Sequence, residues 1–297
     1  MARINKTNLG LYDRAMYLKK CANNGSITFR INLGLLLKFF QLKCIYPIKR
    51  VVTLDLKLHS DNKILIKPSS DTSKYSLHVT DISLSLMMVT FENSIRVLWY
   101  QTLDKEKLIR SLEVEKEFHF TLPKTTKTHY LGNMFSFART PKKIFFTLTP
   151  ETSFLGDHGP RHIFKHHDLK HICLTKNGVN HHTSGRTSDM DLSDPMGSDA
   201  LFWYSSFLSC TKSKTLSFER FYHELFVFSY NLDPNPLHLM TNESSKDNLG
   251  LVSSGTIDAS ISFKENPSTN LILIVTVFFD TLISFNASGE EEGVDSI

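Results

Sequence analysis

"GTIDASISFKE" (255–265) alternates without a break. Ile257, Ala259, Ile261 and Phe263 are apolar, and Thr256, Asp258, Ser260, Ser262 and Lys264 between them are polar. Side chains in a β-strand point to opposite faces with period two, so this pattern predicts a strand with one buried and one wet face. The next apolar stretch, "LILIVTVFF" (271–279), is apolar at both parities and predicts a central strand covered on both sides. "ENPSTN" (265–270) between them carries turn residues, so 255–285 reads as a β-hairpin.

The same period recurs upstream. "VTLDLKLH" (52–59) and "ISLSLM" (82–87) alternate, "KKIFFTLTP" (142–150) reads as a more buried strand, and "LFVFSYNL" (225–232) as an aromatic-rich one. "KHICLTKNG" (170–178) predicts a strand ending in an Asn-Gly turn. Turn signals at 60–62, 67–73 and 233–236 punctuate these runs. Helix signals are few. "LDKEKLIRSLEVEKE" (103–117) suggests a short helix near 104–112, and "SFERFYHELFVF" (217–228) opens with Ser217 and Glu219 as a capped helix does before turning strand-like. The polar stretch 183–199 reads as a long exposed loop. Many short strands with irregular loops point to an all-β fold, a sandwich or jelly roll.

Composition agrees. The 297 residues are 41% hydrophobic and 22% charged, the balance of a folded chain, and 22 phenylalanines suit half-buried sheet surfaces. A net charge of +4, with Lys and Arg dispersed, does not mark a dedicated nucleic-acid surface, so no specific nucleic-acid partner is expected. The N-terminus has no apolar core of a secretory signal, and no apolar run approaches the ~20 residues of a membrane helix. Cys21, Cys44, Cys173 and Cys210 stand far apart without a CxxC pair and read as reduced thiols.

Motifs for chemistry are missing. There is no GxSxG, no GxGxxG and no phosphate-binding loop. His158, His162, His166, His167, His171, His181 and His182 crowd one region, and two pairs have the spacing at which imidazoles stack on one helix face. Their context is loop and strand, and no HExxH accompanies them, so no metal, cofactor or catalytic residue is expected. Asp157, Asp168, Asp189, Asp191 and Asp194 fit no calcium-loop template and read as solvated. The two tryptophans lie in "VLWY" (97–100) and "LFWYSSF" (201–207), where aromatic residues serve either a core or a binding surface.

Five segments then matter by their order: "YPIKRVV" (46–52), "TDISLSLMMV" (80–89), the run from "YLGNMFSFARTPKKIFFTLTP" to "KHICLTKNG" (130–178), "LSFERFYHELFVFSYNLDPN" (216–235) and "GTIDASISFKENPSTNLILIVTVFFDTLISFN" (255–286). This ordered set resembles the C-terminal part of the major capsid protein of Maverick/Polinton elements and adintoviruses, a double jelly-roll, hexon-like family. The resemblance covers most of 75–286. It implies a C-terminal jelly roll at 70–297 preceded by a remnant of an N-terminal roll at 1–69. It also implies a structural, non-enzymatic protein that assembles into capsomers, a homotrimer when complete, with other capsid proteins as partners and the virion as its place. Phe202, Trp203 and Tyr204 are the expected interface anchor. The chain is too short for a whole N-terminal roll, and "SYNLDPNP" and "VFFDTLISF" differ in detail from the commoner forms, as a truncated or host-resident endogenous copy would. One alternative is a jelly-roll ligand- or carbohydrate-binding module, with Trp203 near Asp199 as its candidate site, and the enzyme alternative is a metal hydrolase built on the histidine cluster.

Overall fold

A computed structural model describes residues 78–85, 90–105, 108–138, 140–155, 163–181, 189–211, 216–232, 254–285 and 291–293. The chain divides into two units, Met1–Lys43 and Cys44–Ile297, and every described residue belongs to the second. The alternating stretch at 52–59 and the whole of 1–69 lie outside the described residues.

In chain order the elements are α1 (Asn93–Lys105), β1 (Leu108–Leu122), β2 (Thr128–Phe137), β3 (Lys143–Pro150), α2 (Glu151–Leu155), β4 (Leu169–Lys176), β5 (Val179–His181), α3 (Ser198–Thr211), α4 (Phe218–Glu224), β6 (Phe228–Asn231), β7 (Gly255–Phe263), β8 (Leu271–Phe285) and β9 (Glu291–Gly293). One sheet has the order β1-β8-β3-β6, with β9 added to β8, and the other has the order β2-β7-β4-β5. Every ladder is antiparallel. β1 pairs with β8, β2 with β7, β3 with β6 and β4 with β5. This nesting is an antiparallel ribbon of four strand pairs. Wound on itself, it also brings β3 beside β8 and β4 beside β7, closing into two facing sheets. It is a jelly roll.

β7 is the strand its alternation predicts. Ile257, Ala259, Ile261 and Phe263 are buried, and the residues between them reach the outer face. β8 is central, with Leu271, Leu273, Val275, Val277 and Phe279 facing the interior. From β3 come Ile144, Phe146 and Leu148, and from β6 come Phe228 and Tyr230. The Tyr230 hydroxyl donates across the sandwich to the Ile172 carbonyl (3.3 Å), and burial pushes its phenol pKa far up. The Asn-Gly turn is as expected: Asn177 (φ 52°) and Gly178 (φ 77°) connect the paired Lys176 and Val179, the backbone a two-residue hairpin demands. Ser217 caps α4, its Oγ accepting from the Arg220 N–H.

Five expectations change. First, 255–285 is not a hairpin: β7 and β8 belong to opposite sheets, and 265–270 crosses the sandwich between them. That crossing is pinned where it meets β1 and β2, because the Asn270 side chain accepts from the Lys124 N–H (3.1 Å) and donates to Glu151 (2.9 Å). Second, 104–112 is not a helix. α1 ends at Lys105 and β1 begins at Leu108. In β1, Val114, Phe118, Phe120 and Leu122 alternate with Glu113, Glu115, Glu117 and His119. Pairing along all fifteen residues of β8 outweighs the helix propensity of Glu and Lys. Third, residues 82–85 form no strand, and Ile82 and Leu84 are exposed, while 86–87 lie outside the described residues. Fourth, the strand within 225–232 is only Phe228–Asn231, and Leu225 instead makes an isolated parallel bridge to Phe164. Fifth, the 183–199 stretch is not wholly an exposed loop. Met190 and Leu192 are buried in the core, and Asp199 lies in the first turn of α3.

Candidate functional site

Among the described residues the interior of the roll is packed with buried side chains, and its strand edges and outer faces are the exposed surfaces. Open strand edges template pairing with other chains, and each edge is handled differently here. β6 is flanked by α3. The Ser206 hydroxyl donates to the Ser229 carbonyl (2.8 Å). Trp203 packs its ring against Phe228 and Tyr230 on the interior side (5.1 and 5.5 Å), while Phe207 reaches Phe145 on the outer side (6.1 Å). The helix therefore straddles the edge. β5 is three residues long. β2 is broken by a bulge between Leu131 and Phe135, where Asn133 (φ 50°) donates its N–H to Asp258 (2.6 Å). β1 carries Glu113, Glu115 and Glu117 on its outer face. Glu113 accepts from Lys143 (3.2 Å), and Lys142 pairs with Asp280 on β8.

The three aromatic residues expected at an interface sit on α3. Trp203 is 4% exposed and its Nε1–H donates to the Met190 sulfur (3.0 Å). Phe202 and Tyr204 are half-buried against the core. Tyr204 donates its hydroxyl to the Leu216 carbonyl (2.7 Å) and packs on Phe218 and Phe221. Their neighbour Leu201 is exposed. Trp203 does not form a ligand platform with Asp199: the indole is buried, and Asp199 accepts from the Asp191 N–H (2.8 Å).

The outer face of the second sheet is short and polar. Thr128, Ser262 and His171 lie in register across it, as do Tyr130, Ser260 and Cys173. Tyr130, 72% exposed, is the large ring on this face, and it lies over Gly132, where a Cβ would come within 3.1 Å of its Cε1. Sequence reasoning missed Tyr130; the signal was an aromatic residue two positions before a glycine in a strand.

Among the described residues no group of three or more His, Cys, Asp or Glu converges as a metal centre requires. His166 and His167 sit in a tight turn before β4, and His171 is on β4. His158, His162, His182 and Asp157 lie outside the described residues. Asp189 pairs with Lys170 (2.7 Å). Asp191 pairs with Lys264 (2.6 Å), and that hydrogen bond, with others from Ser193, holds its carboxyl well below the usual range. Asp194 accepts from the Met196 N–H (2.9 Å). Cys173 and Cys210 are free thiols whose pKa values burial raises. No described helix is long and apolar enough to cross a membrane.

No protein-family model matches the chain, and no curated protein matches it. Solved structures similar to it include that of the Sputnik virophage (TM-score 0.40, 10% identity, 64% of this chain and 40% of that chain). They also include the mavirus major capsid protein (TM-score 0.38, 10% identity, 62% of this chain and 41% of that chain). A third is VP54 of PBCV-1, fitted into a reconstruction of Sputnik (TM-score 0.38, 11% identity, 69% and 55%). The chain spans about two-fifths of the length of the first two. The jelly-roll assignment rests on this chain's own strand order and register.

Proposed function

We propose that this chain is a structural protein of the major-capsid class, whose jelly roll associates with copies of itself and with other capsid proteins. One observation carries the reading. Three of the five segments that resemble Maverick/Polinton and adintovirus capsid proteins fall in order on elements of the roll: 130–178 spans most of β2 and all of β3 and β4, 216–235 holds α4 and β6, and 255–286 holds β7 and β8. Jelly rolls also host lectins and enzymes, so the fold alone decides nothing. Here Phe146, Phe228, Tyr230, Ile261 and Phe263 pack the space between the sheets, which supports a reading in which the roll works at its surface. In the complete protein, residues 1–69 belong to an N-terminal roll and three chains form a six-roll trimer in a virion. A shortened, host-resident copy lacks that assembly. Within the trimer Phe202, Trp203 and Tyr204 fix α3 to the roll, and its exposed neighbour Leu201 lies at the subunit contact.

Light scattering and negative-stain electron microscopy test this reading. The 297-residue chain should be monomeric or weakly associated, and a version completed with an N-terminal roll should form trimers. A completed chain that stays monomeric overturns the reading. Tyr130 supports a second one, a carbohydrate-binding face, because its ring is exposed on a polar sheet face where Ser260 is its cross-strand partner. A glycan array with wild type and Tyr130→Ala decides it: binding lost in the variant supports it, and no binding by wild type ends it.

A further inference from the structure

The short connection from Phe164 to β4 holds the most unusual backbone among the described residues. Its residues 166–169 close a tight turn, with the Leu169 N–H donating to the His166 carbonyl (3.0 Å). Both central residues, His167 (φ 48°) and Asp168 (φ 50°), are left-handed, which non-glycine residues adopt at a cost of about 1 kcal/mol or more each. Something must hold the turn shut, and the contacts identify it. The His166 ring lies against the rings of Tyr222 (5.2 Å) and Phe226 (5.3 Å), and its Nδ1 accepts the Asp168 N–H (3.1 Å). Only a neutral imidazole with the proton on Nε2 accepts there. The Nε2 of His167 is buried without a hydrogen-bond partner, a position hostile to an added proton.

The turn anchors more than itself. Just before it, Phe164 donates its N–H to the Glu224 carbonyl (2.8 Å) and accepts from the Phe226 N–H (3.0 Å), tying the segment to the end of α4 and the connection that leads into β6. Just after it, the Asp168 carbonyl accepts the Lys264 N–H (3.0 Å) at the end of β7.

We propose that the 166–169 turn is an acid-released latch: it clamps residues 163–168 onto the end of α4 and the connection into β6 while His166 and His167 are neutral, and lets go when they take up protons. The surrounding charges favour the neutral rings. Lys165 on the same segment, His223 on α4 and Lys264 after β7 all oppose a positive His166, and His166 and Lys165 oppose a positive His167. Asp168 alone favours the charged form of both. Tyr222 packs on His166 while its hydroxyl is donated to the Leu192 carbonyl (2.5 Å). Asp191 is engaged by Lys264, and Asp194 by Met196. Desolvation is the largest influence on both histidines and pushes His167 down to about 4 from the ordinary 6.5. The sign follows. The open turn binds more protons than the closed one, so closure is fully favoured above pH 6.5 and is lost as pH falls from 6.5 towards 4.

Hydrogen exchange on the full chain reads this directly. After correction for intrinsic exchange rates, the amides of Phe164, Leu169 and Phe226 should lose about twentyfold in protection between pH 7 and pH 5 for one such histidine. The β7 amides Ile257, Ala259 and Ile261 should hold theirs. His167→Asn keeps a residue that tolerates the left-handed backbone and removes a titrating ring, so the loss should shrink. Equal protection at both pH values, or an undiminished loss in His167→Asn, overturns the latch. Imidazole NMR of the unsubstituted chain decides the matter if the variant does not fold. Rings of His166 and His167 that titrate well below 6.5 support the latch, and titration of both at 6.5 in the folded chain refutes it.

Discussion

β7 and β8 are consecutive strands, joined by the seven residues 264–270, and they obey opposite rules. β7 turns Thr256, Asp258, Ser260 and Ser262 outward, whereas β8 turns Ile272, Ile274, Thr276 and Phe278 outward. Both strands are central in their sheets, so position within the sheet does not separate them. What differs is the layer outside. Over β8's sheet lie Phe154 of α2, against His119 (4.8 Å), and Phe207 of α3, against Phe145, which also meets Phe278 (5.3 Å). Ile272 is 6% exposed as a result. Over β7's sheet Tyr130 stands 72% exposed. An outward row is apolar where helices cover it and hydroxylated where solvent meets it. One strand's composition therefore reports on the layer beyond its own sheet.

The comparison breaks most visibly within β7. Ile261→Asp places an unpaired charge at a site with no solvent exposure, which costs several kcal/mol and should unfold or aggregate the protein. Ser260→Asp, one residue away on the outer face, should stay within about 0.5 kcal/mol in urea denaturation. Equal tolerance of the two would dissolve the distinction between the faces. The outward rows come next. Phe278→Ser on β8 should cost about 1–2 kcal/mol because it uncovers half-buried ring surface, and Ser262→Thr on β7 should be close to neutral. If Phe278→Ser is also neutral, the helices do not cover that row. A smaller effect sharpens how β7 starts. Asn177 accepts the Thr256 N–H through Oδ1 (2.9 Å) and donates its own N–H to the Thr256 carbonyl (3.1 Å). A Cβ on Gly255 would lie 1.9 Å from that Oδ1, so Gly255→Ala must displace the side chain. Gly255→Ala should cost about 1 kcal/mol and Asn177→Ala more, because it also places alanine at a left-handed φ, and the pair together should cost little more than Asn177→Ala alone, since both remove one clamp. Full additivity in a double-mutant cycle would refute the clamp. Least affected should be Lys264→Ala, whose exposed pairing with Asp191 leaves the urea midpoint unchanged.

Strands whose information is local were legible from the residues. Period two marked β7, the apolar run marked β8, Asn177 and Gly178 marked the turn after β4, and Ser217 marked the start of α4. Pairing was not legible. β7 looks like the partner of β8 because only a short connection separates them, yet its ladders run to β2 and β4. Register with distant strands leaves no trace at 265–270. β1 was hidden differently, because Glu and Lys on an outer face look the same on a helix and on a strand until the partner strand is known. Met190 and Leu192 were lost among Ser, Asp and Gly, whose polarity described the stretch on average but not the two side chains that enter the core. Of the expected interface residues, the aromatic character of Phe202, Trp203 and Tyr204 was plain, but not that the indole turns inward and locks a helix along β6. The His166 turn carried no glycine or asparagine to announce its left-handed pair.

The nested pairing also sets a schedule for the chain as it is made. β4 and β5 are adjacent and can close as soon as they emerge, whereas β1 pairs Leu108 with Phe285 and Leu122 with Leu271. β8 is the central strand of its sheet, lying between β1 and β3, and it is made after both. Until it arrives, β1 has no ladder and β3 only the four-residue β6 to hold. The nascent protein thus carries β1 unpaired and β3 only partly paired until β8 is made, and the apolar row that will become the sandwich interior stays open to other chains. For such a topology the hazardous interval is on the ribosome, and crowding by copies of the same nascent chain is what would turn a roll into an aggregate.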